Sequence, residues 1–128
     1  MVVYLDEDDL LAAADAFLGG SAAVRDYGLL SSALARPSAS MFGVEAYPAL
    51  DEKAAALLIS LTKNHALIDG NKRLGWVGVR LFYALNGARL AMPQDDAYDL
   101  VIAIASGEVE DVAVVAARLA EHVTRVEP

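Results

Sequence analysis

Apolar positions near the start of the chain return at helical intervals: Leu10, Leu11, Ala14, Phe17 and Leu18 follow an acidic first turn at Asp6 to Asp9, and Gly19-Gly20 closes the run. A second predicted helix is capped by Asp26, carries Leu29, Leu30, Ala33 and Leu34 on one stripe, and ends at Pro37. From Pro37 to Leu50 the helical period disappears. Met41, Phe42, Val44 and Tyr47 stand there among two prolines and a glycine, which predicts a flap or short β-hairpin. A third helix starts at Asp51-Glu52-Lys53 with Ala54, Leu57, Leu58 and Leu61 on one face, and His65, four residues beyond Leu61, continues that face. A fourth runs from Lys72 through Leu74, Val77, Leu81 and Leu85 to Asn86-Gly87 and is predicted to be central. Pro93 opens a fifth, with Ala97, Leu100, Val101 and Ile104 in register and Ser106-Gly107 at its end. Val112, Val115, Ala116, Leu119 and Val123 mark a sixth. Strand-like alternation is nearly absent, so the pattern predicts an all-α bundle of about six helices with a flap before the third.

The 128 residues suit a single domain spanning 1–128. Cysteine is absent, which excludes disulfides, thiolate metal sites and a thiol nucleophile. The N-terminus turns acidic at once, unlike a secretory signal, and no apolar run is long enough to span a bilayer. A soluble cytoplasmic protein with no membrane partner is the expectation. The formal charge of -8, from 10 basic and 18 acidic side chains, disfavours direct nucleic-acid binding. A hydrophobic fraction of 56% and a mean hydropathy of +0.38 are high for a small domain. They suit an apolar surface kept for a partner, although an Ala- and Val-rich composition gives the same figure.

Polar chemistry concentrates between the third and fourth helices, in His65, Asp69, Gly70, Asn71, Lys72 and Arg73. A loop entering a helix through Gly70-Asn71-Lys72-Arg73 offers unpaired N–H groups and a partial positive charge to an anion. Lys72 adds a mobile ammonium and Arg73 a planar fork suited to phosphate oxygens. His65 has the chemistry of a general base, and Asp69 that of a Mg²⁺ ligand. Each residue alone has a plainer reading: a satisfied core histidine, a turn aspartate, an ordinary helix–helix turn, a solvated helix end. Two adjacent cations at a helix N-terminus, however, oppose the helix dipole, and that favours a bound anion. Together the residues are the parts that phosphoryl or nucleotidyl transfer needs.

The run His65-Ala66-Leu67-Ile68-Asp69-Gly70-Asn71-Lys72-Arg73 resembles the signature of the Fic/Doc family: His, any, Phe, any, Asp or Asn, Ala or Gly, Asn, Lys or Gly, Arg. Arg25-Asp-Tyr-Gly-Leu-Leu-Ser-Ser-Ala-Leu-Ala-Arg-Pro37 is similar to the second-helix text of its Doc branch, and the likeness extends from about Leu5 to His122. The resemblance implies a Fido fold, ATP and Mg²⁺ as cofactors, His65 as base, and Asp69 as metal ligand. It makes Gly70, Asn71, Lys72 and Arg73 the phosphate cradle. It also makes Met41, Phe42, Val44 and Tyr47 a flap that docks the target by strand addition.

In the wider family the loop transfers AMP to a hydroxyl. The Doc branch is implied to pass the γ-phosphate to a threonine of elongation factor Tu and to stop translation. Lys72, where Fic enzymes carry glycine, and Trp76, where they carry a second arginine, favour the kinase branch. Leu67 departs from the usual Phe. The text Ser106-Gly-Glu-Val-Glu110-Asp111 misses the last position of the family's inhibitory motif, so restraint is expected from a Phd-type antitoxin whose C-terminal segment folds onto an apolar groove. A catalytically silent module that co-regulates with its antitoxin, and a helix-turn-helix DNA binder on the third and fourth helices, are the rival classes.

Overall fold

The computed structural model describes residues 1–19 and 23–126. Among them six helices carry the fold: α1 (Glu7–Leu18), α2 (Tyr27–Ala35), α3 (Leu50–Lys63), α4 (Asn71–Leu85), α5 (Gln94–Ser106) and α6 (Val112–Ala120). Two small antiparallel ribbons join them, β1 (Ser40–Met41) with β2 (Val44–Glu45), and β3 (Ala88–Leu90) with β4 (Val123–Arg125). The architecture is all-α with a hairpin before α3, as the periodicity predicts.

The caps behave as their residue types require. Asp6 Oδ1 accepts from Asp9 N at 2.8 Å, and Asp9 returns a bond to Asp6 N, closing a capping box on α1. Asp26 Oδ1 accepts from Leu29 N at 3.1 Å and Asp111 Oδ1 from Ala113 N at 2.8 Å, starting α2 and α6. On α1, Leu10 and Ala14 are buried while Phe17 is 60% exposed. The stripe keeps its geometry through the last turn, but there Phe17 stays open to solvent. Gly20 and the side chain of Leu18 lie outside the described residues.

The core is centred on α3 rather than on α4. Residues 53–62 of α3 are buried without a break, and the helix packs on α2, α4, α5 and α6. A helix with small or apolar residues around its whole circumference is an interior helix, whereas α4 keeps Lys72, Arg73 and Arg80 at the surface. The two helices meet closely at Gly75 and Gly78. A methyl group on Gly75 falls 2.5 Å from Thr62 Oγ1, and one on Gly78 falls 2.6 Å from Leu61 Cδ1.

Two further expectations fail locally. Val123 does not continue α6, which ends at Ala120; it pairs with Leu90 in the β3–β4 ribbon. Strands of three residues are too short to show a two-residue alternation in sequence. His65 does not continue the buried face of α3 either. The helix stops at Lys63, and His65 turns back at φ 55°, which leaves it exposed.

Candidate functional site

The segment between α3 and α4 folds as a tight loop that buries its two middle members and exposes those on either side. Ala66 and Leu67 are each 1% exposed, whereas His65, Ile68 and Asp69 face solvent. The reversal begins at the end of α3, where Asn64 donates its backbone N–H to Ser60 O at 2.9 Å and its side-chain Nδ2 to Leu29 O at 3.2 Å. Leu67 belongs to the main core. Although smaller than the family's usual Phe, it is gripped by Asn71, whose Oδ1 accepts from Leu67 N at 2.9 Å and whose Nδ2 donates to Leu67 O at 3.0 Å. Both ends of the Asn71 amide therefore shape the loop.

Asp69 Oδ1 accepts from Gly70 N at 2.9 Å, the local turn bond such a residue favours, and among the described residues its second oxygen has no hydrogen-bond partner. Gly70 then takes φ 88°, a left-handed value that an L-side chain resists, and becomes the N-cap of α4. No side chain caps this helix and its first turn carries no acid. The N–H groups that open α4 are thus left with their partial positive charge, with Lys72 and Arg73 beside them.

His65, Asp69, Gly70, Asn71, Lys72 and Arg73 all line one open cleft of about 1550 Å³. Four of the chain's 10 cationic side chains, Lys72, Arg73, Arg80 and Arg89, border it, against one of the 18 carboxylates, Asp69. Among the described residues none of these four cations is in an ion pair. A cleft so biased attracts anions in a protein whose overall charge repels them. Its far wall is apolar, with Val101 and Ile102 from α5, and Trp76 of α4 stands between Arg73 and Arg80.

Arg80 and Arg89 were not singled out from the sequence. Arg80 carries a signal, because 73, 76 and 80 share a helix face; Arg89 carries none, since only the β3–β4 ribbon brings it to the cleft. Arg25 was also missed as a site residue. Its Nε and Nη2 both donate to the carbonyl of His65, at 3.0 and 2.6 Å.

The flap residues do not line this cleft. Phe42 and Gly43 form the hairpin turn with φ 52° and 77°, the paired positive values of a type I′ turn, and Met41, Phe42 and Val44 are exposed. Tyr47 faces inward: its hydroxyl accepts from Arg36 Nε at 3.2 Å, and the Arg36 guanidinium lies 5.6 Å from its ring centre. Arg36 also donates to Ser60 Oγ at 3.0 Å. Lys53, 1% exposed, donates to Glu45 Oε1 at 2.7 Å and to Pro37 O at 3.4 Å. The base of the flap is therefore bolted to α3 while its tip is free of packing.

At the other end of α5, Ser106 ends the helix, Glu110 pairs with Lys63 at 3.5 Å, and Asp111 caps α6. Among the described residues no helix is long and apolar enough to cross a membrane, and no three His, Cys, Asp or Glu side chains cluster as a metal site.

A profile of the Fic/DOC family matches residues 4–83, the stretch that contains α1 to α3, the loop and most of α4. The chain is also 49% identical over 122 residues to "Toxin Doc" of Mycolicibacterium smegmatis, with 94% of this chain and 93% of that protein covered.

Proposed function

Since this chain belongs to the Fic/DOC family, we propose that it is a Doc-like toxin which transfers the γ-phosphate of ATP to a serine or threonine hydroxyl of a translation factor. Elongation factor Tu is the expected target. The observation that carries the reading is the convergence of His65, Asp69 and the uncapped, cation-flanked start of α4 on one cleft.

In this reaction the acceptor hydroxyl gives its proton to the His65 imidazole as its oxygen forms a bond to the γ-phosphorus. The bond from that phosphorus to the β,γ-bridging oxygen breaks, and ADP departs. Lys72, Arg73 and the N–H groups opening α4 hold the phosphates and oppose their growing charge. The side chain of Asn71 acts indirectly, by holding the loop that aims those donors.

Asp69 fits Mg²⁺, a cation that takes one or two carboxylates and completes its shell with phosphates and water. It stands in the cleft, with one oxygen unengaged among the described residues. When bound, Mg²⁺ neutralises charge between the phosphate oxygens.

The relative's name motivates the toxin reading, and with it a toxin–antitoxin module; a cytoplasmic setting and restraint by a Phd-type antitoxin complete the proposal on the resemblance of the loop alone. Support for an antitoxin segment comes from the apolar α5 wall of the cleft and from a volume larger than the roughly 300–1,000 Å³ of small-molecule pockets.

The test is incubation with elongation factor Tu, Mg²⁺ and ATP labelled at either the γ- or the α-phosphate. Label from the γ-position only, lost in His65→Ala, is the expected result. Label from the α-position replaces phosphate transfer with AMP transfer. No label from either, with toxicity unchanged in His65→Ala, leaves the silent co-regulator.

A further inference from the structure

His65 is one of two non-glycine residues with positive φ, at 55°, among the described residues. An L-residue resists this left-handed conformation, so something must hold it. Residues 23–26 lie across the loop as a strap. Arg25 N and Asp26 N both donate to Ala66 O, at 2.8 and 3.1 Å, and Ile68 N donates to Ala23 O at 3.0 Å. Val24 and Leu67 form an antiparallel bridge. These contacts secure residues 66–68, and none reaches His65 itself.

The His65 carbonyl is held by a side chain, the two-pronged guanidinium of Arg25 at 3.0 and 2.6 Å. A planar fork closing on one oxygen restricts its direction, and with it the His65 backbone, in a way that a single ammonium donor cannot. We propose that Arg25 is a positioning residue: by clamping the His65 carbonyl it keeps that residue left-handed and its imidazole in the phosphate cleft. Arg25 is not among the residues that line the cleft, and its guanidinium is engaged by the His65 carbonyl.

The catalytic arm of the test rests on the transfer reading above; the structural arm does not. Arg25→Ala and Arg25→Lys are compared with wild type in steady-state transfer and by carbon-13 chemical shifts of His65 Cα and Cβ, which report its backbone conformation. For Arg25→Ala, kcat falls about 10–100-fold while the KM for ATP stays within about twofold, as expected when a reacting group is displaced and binding groups are not. Arg25→Lys recovers part of the loss. In both variants the His65 shifts leave the left-handed range, most in Arg25→Ala.

A general loss of folding shows instead as a parallel loss of ATP binding, and that result overturns the positioning role. So does a kcat unchanged in Arg25→Ala, or His65 shifts identical to wild type. If wild type transfers no phosphate, the transfer reading fails, and the shifts alone decide whether Arg25 holds His65.

Discussion

The Asn71 side-chain amide meets both backbone groups of Leu67, accepting from its N–H at 2.9 Å and donating to its carbonyl at 3.0 Å. A side-chain amide carries an acceptor and a donor side by side, as these two bonds require. Asn71→Asp keeps the acceptor and sets a second carboxylate oxygen against the Leu67 carbonyl. The variant is expected to lose about 1–3 kcal/mol of stability, read by denaturant unfolding, with faster hydrogen exchange at the Leu67 amide. Unchanged exchange at that amide contradicts the bond.

The contact between α3 and α4 makes a paired prediction. Gly75→Ala puts a methyl group 2.5 Å from Thr62 Oγ1 and 3.4 Å from a Leu58 methyl, and Thr62 is 2% exposed, so something must shift. About 1–3 kcal/mol should be lost, measured by urea unfolding. Among the described residues the buried Thr62 hydroxyl has no hydrogen-bond partner, so Thr62→Ala forfeits no such bond and opens the space. The double variant should recover most of the stability that Gly75→Ala loses, a non-additivity visible in a double-mutant cycle.

The flap's anchorage can be weakened without touching the loop. Lys53→Met removes the donor to Glu45 Oε1 and Pro37 O but keeps most of the buried stem. Glu45 is about half exposed and rehydrates, so the expected loss is about 1–2 kcal/mol. Protease cleavage within residues 40–47 should accelerate. Equal cleavage rates in the two proteins contradict the anchor.

Two groups make stability fall at high pH. Burial drives the Lys53 ammonium towards a lower pKa, but the hydrogen bond to Glu45 and the neighbouring Tyr4, whose ring centre lies 5.7 Å away, outweigh it and hold the group above its ordinary 10.5. Burial, reinforced by the bond from Tyr83 Oη to Asp51 Oδ1 at 2.7 Å, holds the Tyr83 phenol far above its ordinary 10.0. Both keep their proton more tightly when folded. Their contribution is complete below about pH 10 and declines as pH rises beyond it, because the unfolded chain releases those protons first. Unfolding free energies between pH 8 and 11 should show this decline, and Tyr83→Phe should flatten it. A phenolate absorbance titration should find Tyr83 silent until the protein unfolds.

The helices were legible because each repeats its signal over several turns. Asp26 announces α2, Pro93 precedes α5, and Leu10 with Ala14 or Leu100 with Ile104 mark buried faces. The loop was legible for another reason: its residues are contiguous, so their convergence needs only one turn of chain. Arg25 lies forty residues before the carbonyl it clamps, and Arg89 enters the cleft from a three-residue strand, so neither proximity leaves a local pattern.

His65 shows where local reasoning stops. Extending the period of α3 by four residues places it on the buried face, and a helix that went on would have put it there. The amino-acid order by itself determined six amphipathic or apolar segments and a compact set of anion-seeking groups, because periodicity and adjacency are properties of a chain. Tertiary structure decided which helix lies innermost and on which side of the loop the imidazole emerges. It also decided which distant cations share the cleft, because those depend on hydrogen bonds and packing between residues far apart in sequence.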